Sequence, residues 1–177
     1  MYNLQIVPKI QLLIKAIESS GKPFQDTKEI LGAFLSLNLA NAEFDREVIS
    51  VASLMGTEKF VAKQEQEADH YKMLSYGLKH RVKEVMYFNK CGPENRKVVF
   101  FSNDCISMIQ YLVRGKTAMM LVHMRSSDVR GLLPVDTLNL VQIFLGLNKL
   151  YCPEPEVATL DIVIGSAHLY NKGERDS

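Results

Sequence analysis

Two strand-like runs that meet at Gly115-Lys116 constrain this chain more than any other stretch. Residues 105–114 read Cys-Ile-Ser-Met-Ile-Gln-Tyr-Leu-Val-Arg and residues 117–124 read Thr-Ala-Met-Met-Leu-Val-His-Met, both dense in the apolar side chains that suit a pleated sheet. A two-residue connection containing glycine between such runs predicts an antiparallel hairpin. Pairing carries the Cys105 thiol toward Arg125-Ser126-Ser127-Asp128, and Pro134-Val135-Asp136 follows shortly after. We therefore expect a cysteine, an arginine and two aspartates around one pocket, which suits an anion.

The flanking sequence predicts alternating helices and strands. Pro8 is placed to open a helix running to Ser19, with Ile10, Leu13, Ile14 and Ile17 on one face and Gly21 ending it. Residues 21–26 read as a polar connection, and 30–39 as a strand of imperfect alternation. A short helix spans 45–55 with Gly56 as its C-cap, and a longer one from Thr57 carries Glu65, Glu67 and Asp69 on a wet face. Another helix is expected over 82–88, then a strand entered by Asn95-Arg96-Lys97. After the hairpin, 135–149 reads as a buried helix with Leu138, Val141 and Leu145 on one stripe, and 157–170 as the last strand. The expected organisation is one domain over 1–177, with 1–26 an N-terminal helix and connection and 171–177 a frayed tail.

Composition narrows the classes. Twenty-one basic against 20 acidic residues give a net charge of +1, so no broad basic surface for nucleic acid is expected. No apolar run approaches the roughly 20 residues that span a bilayer, and Pro8 and Lys9 break the apolar start, so we expect neither a membrane span nor a signal peptide, and a cytoplasmic protein. Three cysteines, at 91, 105 and 152, without a Cys-x-x-Cys pair suit a reducing compartment. The histidines at 70, 80, 123 and 168 are too scattered to suggest a metal site.

Cys105, Gln110-Tyr111 on the same strand, Arg125-Ser126-Ser127-Asp128, Pro134-Val135-Asp136 and His168-Leu169-Tyr170 together resemble, in order and spacing, the core of the thymidylate synthase and deoxycytidylate hydroxymethylase family. Looser likenesses lie at Thr27-Lys28-Glu29-Ile30-Leu31-Gly32, at Tyr76-Gly77 with Arg81, and at Asn95-Arg96-Lys97. The resemblance implies an α+β fold, a thymidylate synthase-like sheet covered by helices, and a homodimer formed sheet against sheet. It also implies a pyrimidine nucleoside monophosphate as substrate and methylenetetrahydrofolate as one-carbon donor.

In such enzymes a thiolate adds to the pyrimidine ring and makes the neighbouring carbon a nucleophile, which is the role the resemblance gives Cys105; a nearby cation such as Arg125 favours the thiolate. The bland reading is a buried apolar thiol, as for Cys91 and Cys152. Arg125 and Ser126 suit a phosphate monoester, with Asp128 and Gln110 in the same nucleotide-binding set. Arg96 and Lys97 match a pair that in the family reaches the phosphate from the other subunit, or else they begin a solvated strand. His168 and Tyr170 point to one strand face, where the family binds the sugar hydroxyl, although His-x-Tyr alone is ordinary strand packing. At Asp136 the uracil-using members resemble Asn. An ionised carboxylate accepts from an exocyclic amine but cannot donate to a carbonyl, so cytosine is favoured over uracil; Asp136 also suits a helix N-terminus.

Some positions depart from the pattern. Ile49 stands where a general acid-base glutamate is expected, Glu47 is two positions away on another helix face, and Ala52 replaces a cofactor-supporting aromatic. Ile106 replaces the histidine after the nucleophile, and little sequence follows Tyr170 to serve as the segment that closes over folate. Two functions stay open: a hydroxymethyl- or methyltransferase acting on a pyrimidine nucleotide, and a nucleotide-binding or partner-binding member without turnover.

Overall fold

The computed structural model describes residues 6–39, 43–89, 92, 94 and 96–171. Expectations for Cys91, Asn95 and residues 172–177 lie outside the described residues. In chain order the elements are α1 (Ile6–Ser20), β1 (Lys22–Phe24), β2 (Thr27–Asn38), α2 (Phe44–Met55), α3 (Thr57–Asn89), β3 (Val99–Phe101), β4 (Ile106–Arg114), β5 (Thr117–Asp128), α4 (Leu133–Tyr151) and β6 (Val157–Tyr170). The fold is α+β: a six-stranded mixed sheet in the order β1-β2-β6-β5-β4-β3, covered by four helices.

The predicted hairpin forms, with Arg114 opposite Thr117 and Gly115 in the left-handed conformation at φ 54° that a tight turn needs. β5 and β6 are parallel, so the chain needs a long crossover between them, and α4 supplies it. Ala118, Met120, Val122 and Met124 alternate into the core under the helices. α4 is buried on nearly every side because it lies between the sheet and the other helices. Its Phe144 meets the Tyr111 ring edge-on at 6.0 Å, and the buried Tyr111 hydroxyl donates to Asn148 Oδ1 at 3.0 Å, as a buried phenol requires.

All four helices gather on one face of the sheet, and among the described residues no helix covers the other. Met108, Leu112, Met119, Leu121 and Val163 alternate onto that uncovered face, with Phe34 and Phe101 at 62% and 72% exposure. Gln110, His123, Thr159 and Asp161 lie among them, so the face is apolar in patches. Among the described residues no helix is long and apolar enough to cross a membrane.

A line of irregularity crosses the sheet. The pairing skips Gly32 of β2, Gly165 of β6 and Arg125 of β5, and the register of β4 shifts between Ile106 and Met108. Glycine is required at the centre, because a Cβ on Gly165 would come within 2.6 Å of the Arg125 carbonyl oxygen, and Gly32 sits at φ 72°. Burial changes parity there: even positions 118–124 are buried before the kink, Ser127 after it. The kink thereby re-aims Ser126, Asp128, His168 and Tyr170.

Several expected boundaries are corrected. α1 begins at Ile6, before Pro8, and the polar connection contains the short strand β1, which pairs with β2. The helix expected to end before Val82 is part of one 33-residue α3. Gly77 does not break it; a Cβ there would come within 2.7 Å of the Phe100 ring, so the glycine lets helix and β3 approach. β5 continues through Asp128, which puts Arg125-Ser126-Ser127-Asp128 on a strand rather than after one. α4 starts at Leu133, with Pro134 in its first turn.

Candidate functional site

Strand pairing brings Cys105 and Arg125 together. Cys105 is exposed just before β4, and the Arg125 backbone N–H donates to its carbonyl oxygen at 2.8 Å. The Arg125 guanidinium turns back on the preceding loop: Nε donates to the Asp104 carbonyl at 3.1 Å and Nη2 to the Asn103 carbonyl at 3.0 Å. Nη1 has no protein partner among the described residues. The arginine therefore fixes the segment that presents the thiol and retains a donor group.

α3 closes the other side with two consecutive aromatic residues. His70 Nδ1 lies 3.6 Å from Asp104 Oδ2, beside Cys105, and its ring meets Tyr71 edge-on at 5.1 Å. The Tyr71 hydroxyl donates to Asp136 Oδ1 at 2.9 Å across 65 residues of sequence. Both partners are buried, Asp136 at 8% exposure. Tyr71 is held well above the usual phenol range, first by burial and then by the adjacent Asp136, with Glu67 and the Cys105 thiol adding to the effect.

Asp136 is the most perturbed carboxyl of the group. Burial pushes it up to about 7; the Tyr71 bond opposes that rise, and the nearby Glu67 and Asp128 add to it. Its place in the first turn of α4, with its N–H bonded to the Leu132 carbonyl, adds the helix dipole on the side of the charged form. A carboxyl that changes charge near neutrality can give or take a proton there.

Asp128 shapes the turn into α4. Its Oδ1 accepts from the Arg130 and Gly131 N–H groups at 3.2 and 3.0 Å, and a Cβ on Gly131 would collide with its Oδ2. Asp128 pairs in register with His168, whose ring meets Tyr170 edge-on at 5.2 Å. Ser126 pairs in register with Ser166, whose hydroxyl donates to Glu29. These residues share the kinked end of the sheet.

Beside that end lies a cavity of about 600 Å³, bordered by α1, the α2–α3 junction and the turn after β5. Asp128, Tyr170, Lys59, Lys63, Met55 and Leu132 line it, whereas Cys105, Arg125 and Asp136 do not. The expected residues thus divide between an open cysteine-arginine edge and a deeper cavity, with Asp128 within the electrostatic reach of Asp136 between them.

Three expected residues stand apart. Gln110 donates from Nε2 to the Arg96 carbonyl at 3.0 Å, tying β4 to the turn that carries the exposed Arg96 and Lys97. This places all three at the β3 edge of the sheet. On α2, Ile49 is 70% exposed, and the buried Glu47 accepts from the Ile6 N–H at 3.1 Å, its carboxyl raised by burial.

Sequence reasoning missed Tyr71 and His70 and assigned Glu67 to a solvated face. The signal was spacing: positions 67, 70 and 71 fall on one side of a helix that continues through Leu74 and Leu78, both buried. Among the described residues no group of three or more His, Cys, Asp or Glu is arranged to hold a metal ion. Set against known proteins, the chain matches no family model and no curated protein.

Proposed function

We propose that the site binds a pyrimidine nucleoside monophosphate and carries out one-carbon transfer to its ring, in the manner of deoxycytidylate hydroxymethylase, within a divergent thymidylate synthase-like fold. The observation that carries this reading is the pairing of an exposed Cys105, presented by Arg125, with a buried Asp136 bonded to Tyr71. Cys105 is the nucleophile that adds to the ring. Arg125 and Ser126 take the phosphate, Asp136 reads the base, and His168 with Tyr170 holds the sugar. Cytosine is favoured where Asp136 is ionised, because a carboxylate accepts from the exocyclic amine.

For the folate donor the nearest space is the cavity of about 600 Å³ beyond Asp128, where apolar walls at Leu54, Met55 and Leu132 with Lys59 and Lys63 suit a flat ring system ending in carboxylates; its one-carbon end would have to reach past Asp128 to the ring at Cys105, which does not line the cavity. The bound folate would supply a one-carbon unit. The uncovered sheet face, with Phe34 and Phe101 exposed and Met108, Leu112, Met119, Leu121 and Val163 part-exposed, supports a homodimer packed sheet against sheet.

A second reading, nucleotide binding without turnover, is favoured by the exposed Ile49 on α2, which leaves the expected acid-base position without a titratable group. One experiment separates the two. Incubation with methylenetetrahydrofolate and deoxycytidylate tritiated at ring carbon 5 releases label if transfer occurs, and Cys105→Ser abolishes release. Calorimetric binding of deoxycytidylate without release supports the second reading, and absence of binding overturns both.

A further inference from the structure

We propose that the outer face of α3 is a docking surface for the α3 of a second copy, laid antiparallel so that the acidic half of each helix meets the basic half of the other. This goes beyond the nucleotide reading and does not rest on it. The two sides of the 33-residue helix are distinct. Tyr71, Leu74, Leu78, Val82 and Val85 are buried at helical spacing and hold it to the rest of the molecule. On the opposite side, positions 58, 62, 65, 69, 72, 76, 80, 83 and 87 recur every three or four residues, and all are exposed. From Glu58 to Tyr87 they form one stripe of roughly 44 Å at 1.5 Å per residue, the shape that packs along another helix.

Charge divides that stripe. Its first half carries Glu58, Glu65 and Asp69, and its second carries Lys72, His80 and Lys83. Glu84, the one acidic residue between Lys72 and Tyr87, lies 3.4 Å from Arg81 and 3.7 Å from His80 on its own helix. Where the sign changes, large apolar groups stand in water: Met73 and Tyr76 are each 70% exposed, and Tyr87 further along is 80% exposed. Tyrosine and methionine are enriched where proteins meet.

The two halves together select the occupant. A polyanion lying along the stripe is drawn to one half and repelled by the other, and a parallel second copy sets like charge against like. An antiparallel second copy satisfies both halves. A two-fold axis between Lys72 and Met73 sets Glu65 opposite His80, Asp69 opposite Tyr76, and Lys83 between Glu58 and Glu65. An imidazole donates to a carboxylate whether or not it is charged, and the Tyr76 phenol can donate to Asp69. Because the helices lie on the other side of the sheet from its uncovered face, this contact is separate from sheet-to-sheet packing.

Exposed ion pairs are individually weak, so the expected dimer depends on concentration and on salt. The test is sedimentation equilibrium of the full chain carrying Leu121→Asp, which sets sheet-to-sheet association aside, at about 50 mM and about 500 mM salt. A monomer–dimer equilibrium is expected at low salt, weakened about tenfold or more at high salt. Glu65→Lys with Asp69→Lys makes the stripe basic throughout, and His80→Glu with Lys83→Glu makes it acidic throughout. Each pair of changes is expected to weaken self-association by about tenfold or more, and an equal mixture of the two proteins to regain the dimer. The mixture also controls for folding, since a misfolded chain cannot regain pairing.

A Leu121→Asp protein that stays monomeric up to about 1 mM, the weak end of specific association, overturns the proposal. So does a dimer indifferent to both charge reversals, or reversed chains that weaken alone and fail to pair when mixed. Cosedimentation of the monomer with anionic phospholipid vesicles would assign the basic half to a lipid surface instead. If Leu121→Asp fails to fold, the same reversals and their mixture in the wild-type chain decide. None of these results bears on nucleotide binding.

Discussion

The two sides of the candidate site are built on different physics. On the cysteine side the contacts are exposed and run mainly from a side chain to backbone: Arg125 donates to the Asn103 and Asp104 carbonyls next to an exposed thiol. On the aspartate side they are buried and run from side chain to side chain, from Tyr71 of α3 to Asp136 of α4. Water competes for every group on the first side and for almost none on the second. The difference teaches where chemistry can be tuned: a carboxyl moves to about 7 only where desolvation acts on it.

That contrast can be broken most sharply at Asp136. A carboxyl raised from 3.8 to about 7 holds its proton more tightly folded than unfolded, so the wild-type protein loses stability as pH climbs between those values and levels off above. Asp136→Asn removes the ionisation and keeps an oxygen for Tyr71. We expect it to raise stability at pH 8 by up to roughly 4 kcal/mol and to change little near pH 4, measured by denaturant unfolding.

The next largest effect is expected at Tyr71. Tyr71→Phe leaves Asp136 Oδ1 without its donor in a buried place, which costs about 1–3 kcal/mol, more at pH 8 than at pH 5 because the charged carboxylate loses more. An equal loss at both pH values would show that the hydroxyl serves packing alone. On the exposed side the expectations are smaller. Arg125→Ala should cost about 1 kcal/mol, since water replaces the lost donor at both carbonyls. Cys105→Ser, at an exposed position, should stay within about 0.5 kcal/mol while abolishing any transfer activity. A large loss for either would mean that the open edge is structural after all.

The uncovered sheet face offers a parallel contrast with the helix-covered one. Leu121→Asp puts a charge on the uncovered apolar face, where it disturbs no contact with α4 within one chain. If two copies pack there, sedimentation will show a dimer that dissociates by tenfold or more in the variant, on the order of the 1.4 kcal/mol that each tenfold represents. An unchanged monomer in both proteins removes the sheet-to-sheet arrangement.

How much of this could be read from the sequence follows from how local each signal is. The β4–β5 hairpin was legible because its alternation is clean and its turn contains Gly115, and β6 because 14 residues alternate around one interruption. The nearness of Cys105 to Arg125 followed from that hairpin alone. β2 looked imperfect for a reason visible only in three dimensions: the kink at Gly32 matches those at Gly165 and Arg125 on neighbouring strands. α3 was divided because Gly77 reads as a breaker, yet the glycine serves the Phe100 contact. The Tyr71–Asp136 bond was invisible, since no periodicity within either helix reports a partner on another. Glu67 was read as solvated because its neighbours Glu65 and Asp69 are, although about half a turn of helix separates their directions.

The account stands most directly on where a nucleotide sits. A crystal of the protein soaked with deoxycytidylate should show the ring between the Cys105 sulfur and Asp136, its exocyclic amine on Oδ2 and its phosphate at the Arg125 guanidinium. Density for the nucleotide away from both Cys105 and Asp136, or no density at a concentration that saturates binding, would contradict it.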